Sequence, residues 1–228
     1  MIPLRDSVRT RTAPIVTVAL IVVNTLVFLH ETALGPRLDA FVIAYGLVPR
    51  RFVYWPGAPL DPVRFLPLLT SMFWHGGWLH LLGNMLYLWI FGDNVEDRLG
   101  HFRYLLFYLI AGTAAGITQV ALQPASALPT IGASGAIAGV LGAYLVTFPR
   151  SRVLTFFPPI WFFELPAFAY LVFWFLLQLL EGFGSLGAPA ETGGVAVWAH
   201  VGGFVSGVVL IKLMAPQRGR ARPMEIGP

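Results

Sequence analysis

The sequence has no cysteine and a single lysine. Without cysteine there is no disulfide, no thiol nucleophile and no thiolate metal site. Charge is the next shortage: Asp, Glu, Lys and Arg make up 11% of 228 residues, against about 25% in a soluble domain. The shortage extends over nearly the whole chain. Apolar segments recur to the C-terminus, so a signal peptide does not account for it. The chain therefore reads as a polytopic membrane protein. An internal repeat is also missing, which argues against an inverted-repeat transporter. No charge falls at mid-membrane, where a channel or transporter would want one.

What fills the space is hydrophobic: 57% of residues, with a mean hydropathy of +0.72. A helical span needs roughly 20 apolar residues, fewer inside a bundle. Six candidates are found: Pro14–Leu29, Phe65–Phe91, Phe102–Leu122, Gly132–Phe148, Phe163–Gly182 and Val195–Met214. The expected fold is an all-α bundle of six transmembrane helices. Residues 1–13 would be a short cytoplasmic segment, 14–214 the membrane domain and 215–228 a basic cytoplasmic tail.

Orientation follows from the arginines. Arg5, Arg9, Arg11, Arg98, Arg103, Arg150, Arg152, Lys212, Arg218, Arg220 and Arg222 fall on one face. Only Arg37, Arg50, Arg51 and Arg64 fall on the other, all in the long first loop. Both termini are then expected in the cytoplasm, with candidate spans 2, 4 and 6 running inward. The arginines read as topology and headgroup contacts with membrane lipids, not as a nucleic-acid surface. Arginine excess, a compact core and short tails point to a bacterial inner membrane. The first extracytoplasmic loop, about His30 to Arg64, is expected to form short helices. Tyr45, Phe52, Tyr54 and Trp55 would lie at headgroup level.

Few polar side chains interrupt the spans. Ser134 stands near the start of span 4, among Gly132, Ala133, Gly135, Ala138, Gly139 and Gly142. His200 stands near the start of span 6, followed by Gly203 and Gly207 in a GxxxG that lets another helix come close. His80 and Asn84 share one face of span 2, four residues apart, with His75 shortly before them. Each has a bland reading. The serine can bond its own backbone, and the histidines and asparagine can tie helices together. Three histidines on two helices also leave a zinc site open. Yet the arginine-derived topology places Ser134, His200, His80 and Asn84 at similar depth in the outer half. A nucleophile, a general base and two donors for an oxyanion suggest acyl transfer, in a cavity that admits water.

"GASG" (Gly132–Gly135), "AHVGGFVSG" (Ala199–Gly207) and "HGGWLHLLGN" (His75–Asn84), in this order of spans, resemble the motifs of the rhomboid intramembrane serine proteases. The resemblance covers nearly the whole chain. It implies a Ser134–His200 dyad with no cofactor and no metal. It assigns the oxyanion to His80, Asn84 and the Ser134 amide, with Gly132, Gly135, Gly203, Gly207 and His75 shaping the site. Substrates would be transmembrane segments of other proteins, cut at a small residue near the outer surface. Span 5, with Phe173, Trp174, Phe175 and Gln178, would gate their entry, although a bulky lipid-facing helix reads the same way. Arg64 matches part of a Trp-Arg pair in the first loop of some members; Val63 replaces the Trp. At position 138 some members carry a Tyr that stacks on the histidine, and here it is Ala138. The imidazole must then be held otherwise, and packing on the span 4 glycines alone is one way. A non-catalytic binder of transmembrane helices on the same fold, and a small transporter or channel, are the other classes weighed.

Overall fold

The computed structural model describes residues 1–185 and 196–216. Six helices build the bundle: Ile15–Ala33 (α1), Trp78–Leu99 (α6), His101–Leu122 (α7), Ser134–Thr147 (α8), Ala167–Ser185 (α9) and Val197–Met214 (α10). Four short helices lie between α1 and α6: Leu38–Tyr45 (α2), Pro49–Val53 (α3), Pro62–Phe65 (α4) and Pro67–Thr70 (α5). Among the described residues, α1, α7, α9 and α10 are long and apolar enough to cross a membrane. This is a multi-pass integral membrane protein. α6 ends in the charged run Asp93, Glu96, Asp97, Arg98, and α8 has 14 residues. At 1.5 Å per residue α8 is about 21 Å long, shorter than a bilayer core.

α8 is the central helix. Every residue from Gly135 to Tyr144 is buried, as a helix apolar on all sides requires. It packs most closely on α10 and also touches α6, α7 and α9. Glycine makes this approach feasible. A methyl group on Gly203 would lie 2.0 Å from the Gly135 carbonyl oxygen, and one on Gly207 would lie 1.9 Å from that of Gly139. Gly139 in turn presents its Cα to Ala111 of α7, where a methyl would come within 2.6 Å.

The all-α expectation is corrected by a three-stranded antiparallel sheet, order β1-β2-β3: Ile2–Asp6 (β1), Arg152–Phe157 (β2) and Trp161–Pro166 (β3). β1 takes up part of the 1–13 segment. β3 takes Phe163–Pro166 out of the fifth candidate span, so α9 starts at Ala167. The second candidate span also begins too early, because Phe65–Gly77 forms short helical turns and a loop before α6. Pro62 and Pro67 stand at the first positions of α4 and α5, where a missing N–H is harmless. In the sixth candidate span, Val195 lies outside the described residues, as do 217–228 of the basic tail.

The sheet is fastened to the bundle by Asp6. Its carboxylate accepts from Tyr144 Oη of α8 and from Asn94 Nδ2 of α6, the latter at 3.0 Å. Burial pushes the Asp6 carboxyl above its ordinary range, with the Tyr144 hydrogen bond opposing. Next to it, α6 caps α1 from outside. Glu96, buried, accepts from the Val16 and Thr17 amides at 2.8 Å and from Thr17 Oγ1 at 2.7 Å. These are first-turn N–H groups that no intrahelical carbonyl can satisfy. Tyr144 and the sheet lie at the C-terminal end of α8; Ser134 lies at the opposite end.

Candidate active site

Ser134 opens α8. The preceding Gly132 has φ of 119°, a left-handed conformation that glycine adopts without a Cβ penalty. Its amide donates to the Ser71 carbonyl at 2.9 Å. Two residues earlier, Thr130 and Leu47 exchange backbone hydrogen bonds of 2.8 and 3.0 Å. The segment entering α8 is thus tied to the stretch that carries α2–α5. That stretch is itself knitted by Arg64, which donates to the carbonyls of Phe52 (2.9 Å) and Pro59 (3.1 Å) and lies over the Phe52 ring.

His200 is in the first turn of α10. Its Nε2 lies 2.8 Å from Ser134 Oγ. The close α8–α10 seam brings the two together across 66 residues of sequence. Gly203 and Gly207 supply that seam from α10, while Gly135 meets Gly203 with its carbonyl and Ala115 of α7 with its Cα.

The imidazole does not rest on glycine alone. His200 Nδ1 lies 2.5 Å from Gln178 Oε1 of α9. The Trp174 ring, one turn earlier, is centred 5.8 Å from the imidazole at a 38° tilt. Both partners come from the helix after the sheet, not from position 138. The backbone of the same α10 turn is held by α7: Ala199 N donates to Gln119 Oε1 at 3.1 Å. Sequence reasoning passed over Gln119. Its signal was a glutamine four residues before Gln123 inside an apolar span; the two side chains are hydrogen bonded at 2.7 Å.

His80 and Asn84 of α6 converge on Gly132. A methyl on Gly132 would lie 2.7 Å from His80 Nε2 and 3.5 Å from Asn84 Nδ2. His80 Nδ1 accepts from the Gly76 amide at 3.2 Å, so in the neutral ring Nε2 carries the proton and is a donor. Asn84 Nδ2 is buried with no partner among the described residues. A buried orphan donor is uncommon and calls for an explanation. Beside it, the first-turn amides of α8 also lack intrahelical acceptors. His80, Asn84 and Ser134 thus line one cavity, with the Gly132 backbone between them.

His75 lies behind His80, with ring centroids 5.2 Å apart, and its amide donates to the Glu31 carboxylate of α1 at 3.1 Å. Among the described residues, no three His, Cys, Asp or Glu side chains are grouped to hold a metal. Ser134, His200, His80, Asn84, Tyr87 and Trp174 border one cavity of about 890 Å³. Its lining includes the exposed side chains of Leu79, Leu122 and Leu128. A hydroxyl hydrogen bonded to an imidazole, beside amide and ring N–H donors in a cavity, has the parts needed to attack a carbonyl carbon and hold the resulting oxyanion.

The family model described as "Rhomboid domain" matches residues 62–217. The chain belongs to the rhomboid family. Among its relatives is RHOMBOID-like protein 6, mitochondrial, of Arabidopsis thaliana, 35% identical over 154 residues, which cover 67% of this chain and 45% of the relative. Rhomboid protein 1, mitochondrial, of Saccharomyces cerevisiae is 30% identical over 163 residues, covering 68% and 44%. Presenilin-associated rhomboid-like protein, mitochondrial, of Mus musculus is 32% identical over 112 residues, covering 48% and 30%. This rhomboid chain thus aligns with less than half the length of these relatives. Rhomboids are in general intramembrane proteases, and the matched region contains Ser134, His200, His80 and Asn84.

Proposed function

We propose that this rhomboid is a serine endopeptidase that cleaves transmembrane segments of other membrane proteins through a Ser134–His200 dyad. The observation that carries this is the 2.8 Å contact of Ser134 Oγ with His200 Nε2, both lining that cavity. The Asn84 amide beside it, unpartnered among the described residues, supports the same reading.

In this reaction Ser134 Oγ attacks the scissile carbonyl carbon while His200 Nε2 takes the hydroxyl proton. The carbonyl oxygen becomes an oxyanion facing His80 Nε2, Asn84 Nδ2 and the Ser134 amide. Collapse breaks the C–N bond, and His200 gives its proton to the leaving amine. Water, deprotonated by the same imidazole, then attacks the acyl carbon and restores the Ser134 hydroxyl.

The arginine distribution supports an orientation with both termini in the cytoplasm and the site in the outer half of the membrane. α6 and α8 then complete a six-span bundle, the short α8 shielded by its neighbours, with α2–α5 in the long outer loop. Lipid covers α9 on Phe168, Val172, Phe173, Leu176 and Leu180, all exposed. α9 is the helix that a substrate would pass on its way to the cavity. The bacterial inner membrane is the proposed location.

The test is an activity probe. A fluorophosphonate should label the wild-type chain and not Ser134→Ala or His200→Ala, and the same two variants should lose cleavage of a transmembrane reporter by on the order of 10⁴-fold. Equal labelling of wild type and Ser134→Ala sinks the assignment.

A further inference from the structure

We propose that Gln178 is a positioning residue for His200: its carboxamide oxygen accepts the Nδ1 proton and so fixes the tautomer whose bare Nε2 faces Ser134. The inference rests on the peptidase reading for its consequence, but its structural content can be measured independently.

Three observations carry it. First, Gln178 Oε1 lies 2.5 Å from His200 Nδ1, and both residues are buried, at 9% and 8% exposure. With little water available, each would otherwise be left unsatisfied. Second, the other ring nitrogen is already committed to Ser134 Oγ at 2.8 Å. A neutral imidazole has one N–H and one lone pair. An acceptor at Nδ1 forces the N–H there and leaves the lone pair at Nε2, where a base needs it. Third, the grip extends beyond one atom. Trp174, four residues earlier on the same face of α9, covers the imidazole, and it packs against Phe204 of α10 at 6.1 Å. The Gln119 side chain that holds the Ala199 amide is bonded to Gln123, whose Nε2 reaches Ser185 Oγ at the end of α9 at 3.2 Å. The ring and its backbone turn are therefore both held, directly or by relay, from α9.

The choice of an amide has a chemical meaning. A carboxylate would orient the ring equally well and also stabilise the imidazolium, but burying a charge in the bundle is costly unless paired. Glutamine orients the ring without that charge. α9 is moreover a helix whose outer face is left to lipid. Moving it outward withdraws Gln178 and Trp174 from His200 together, so the position of α9 sets how well the base is aimed.

The experiment compares the full-length wild type, Gln178→Leu and Gln178→Glu in detergent micelles, with thermal unfolding as the folding check. Fluorophosphonate labelling rates and reporter cleavage are followed against pH, and ¹⁵N spectra of ring-labelled histidine report the His200 tautomer. The wild-type ring is expected to be protonated on Nδ1 only. Gln178→Leu should give a mixed tautomer, with labelling rate and kcat lowered roughly 10- to 100-fold, as for other partners that orient a histidine ring, and KM little changed. Gln178→Glu should restore the single tautomer and most of the rate, with the acid limb of the profile moved to higher pH. An unchanged tautomer and rate in Gln178→Leu overturns the proposal. Failure of the peptidase reading looks different: the wild type then goes unlabelled, and the ¹⁵N spectra still decide the role of Gln178.

Discussion

The carbonyl oxygen of Gly139 occupies the place where a side chain on Gly207 would begin, 1.9 Å from the position of that absent Cβ. Two backbones in contact leave no flexible atom to yield. Gly207→Ala must push α10 away from α8, and His200 moves with it. Overpacking of this kind costs about 1–3 kcal/mol. Both a lower unfolding temperature and a slower labelling rate are expected. A variant with wild-type values of both would show that the seam is looser than described.

Asn84 separates rate from stability. Among the described residues its Nδ2 has no partner to lose, so truncation leaves no new unsatisfied group on a described neighbour. Asn84→Ala is expected to slow cleavage up to roughly 10²-fold, as for one oxyanion donor, with the unfolding temperature nearly unchanged. Cleavage at the wild-type rate would remove Asn84 from the oxyanion site.

Acid should stop the reaction at the base. A protonated His200 has no lone pair for the Ser134 proton. The labelling rate is therefore expected to fall about tenfold per pH unit once the imidazole is protonated, as a single essential base requires. A rate flat down to the acid limit of folding would contradict the role of His200.

Asp6 gives a pH effect on stability far from the site. Burial raises its carboxyl in the folded chain above the unfolded value. Between those two values the folded state holds more protons, so its contribution to stability is present in acid and is lost as pH rises. Asp6→Asn carries no such titration. The unfolding temperature of the variant minus that of the wild type should grow as pH is raised through and above the carboxylate range. A constant difference would mean that Asp6 titrates as if exposed.

Much of this architecture can be read from residue order, and the exceptions have physical reasons. Long apolar runs locate the helices, because membrane helices announce themselves by length. The sheet escapes notice because β2 and β3, "RVLTFF" and "WFFELP", are short apolar runs, and such runs read equally as strand or buried helix. Phe163–Pro166 therefore merges with α9. That Ser134 and His200 meet is legible from the glycines on their two helices, since small faces seek each other. The grip of α9 on His200 is not. Gln178 and Trp174 stand out as residues, but four-residue spacing says only that they share a face. Which neighbour that face meets depends on how the β2–β3 hairpin delivers α9 to the bundle. The outside capping of α1 by Glu96 is hidden for the same reason, as it spans 80 residues of sequence.

The hydrogen bond from His200 to Gln178 also makes the site a device with a sign. A carboxamide has an accepting end and a donating end of nearly equal shape. Half a turn about the last bond of Gln178 sets –NH₂ against Nδ1, which then has to accept. The ring proton is driven to Nε2, and the imidazole donates to Ser134 Oγ rather than drawing a proton from it. No helix shifts and no charge changes, yet the hydrogen bond to Ser134 is reversed and Nε2 has no lone pair left to take the proton. In a low-dielectric bundle, whether the base can act is stored in the orientation of one neutral amide.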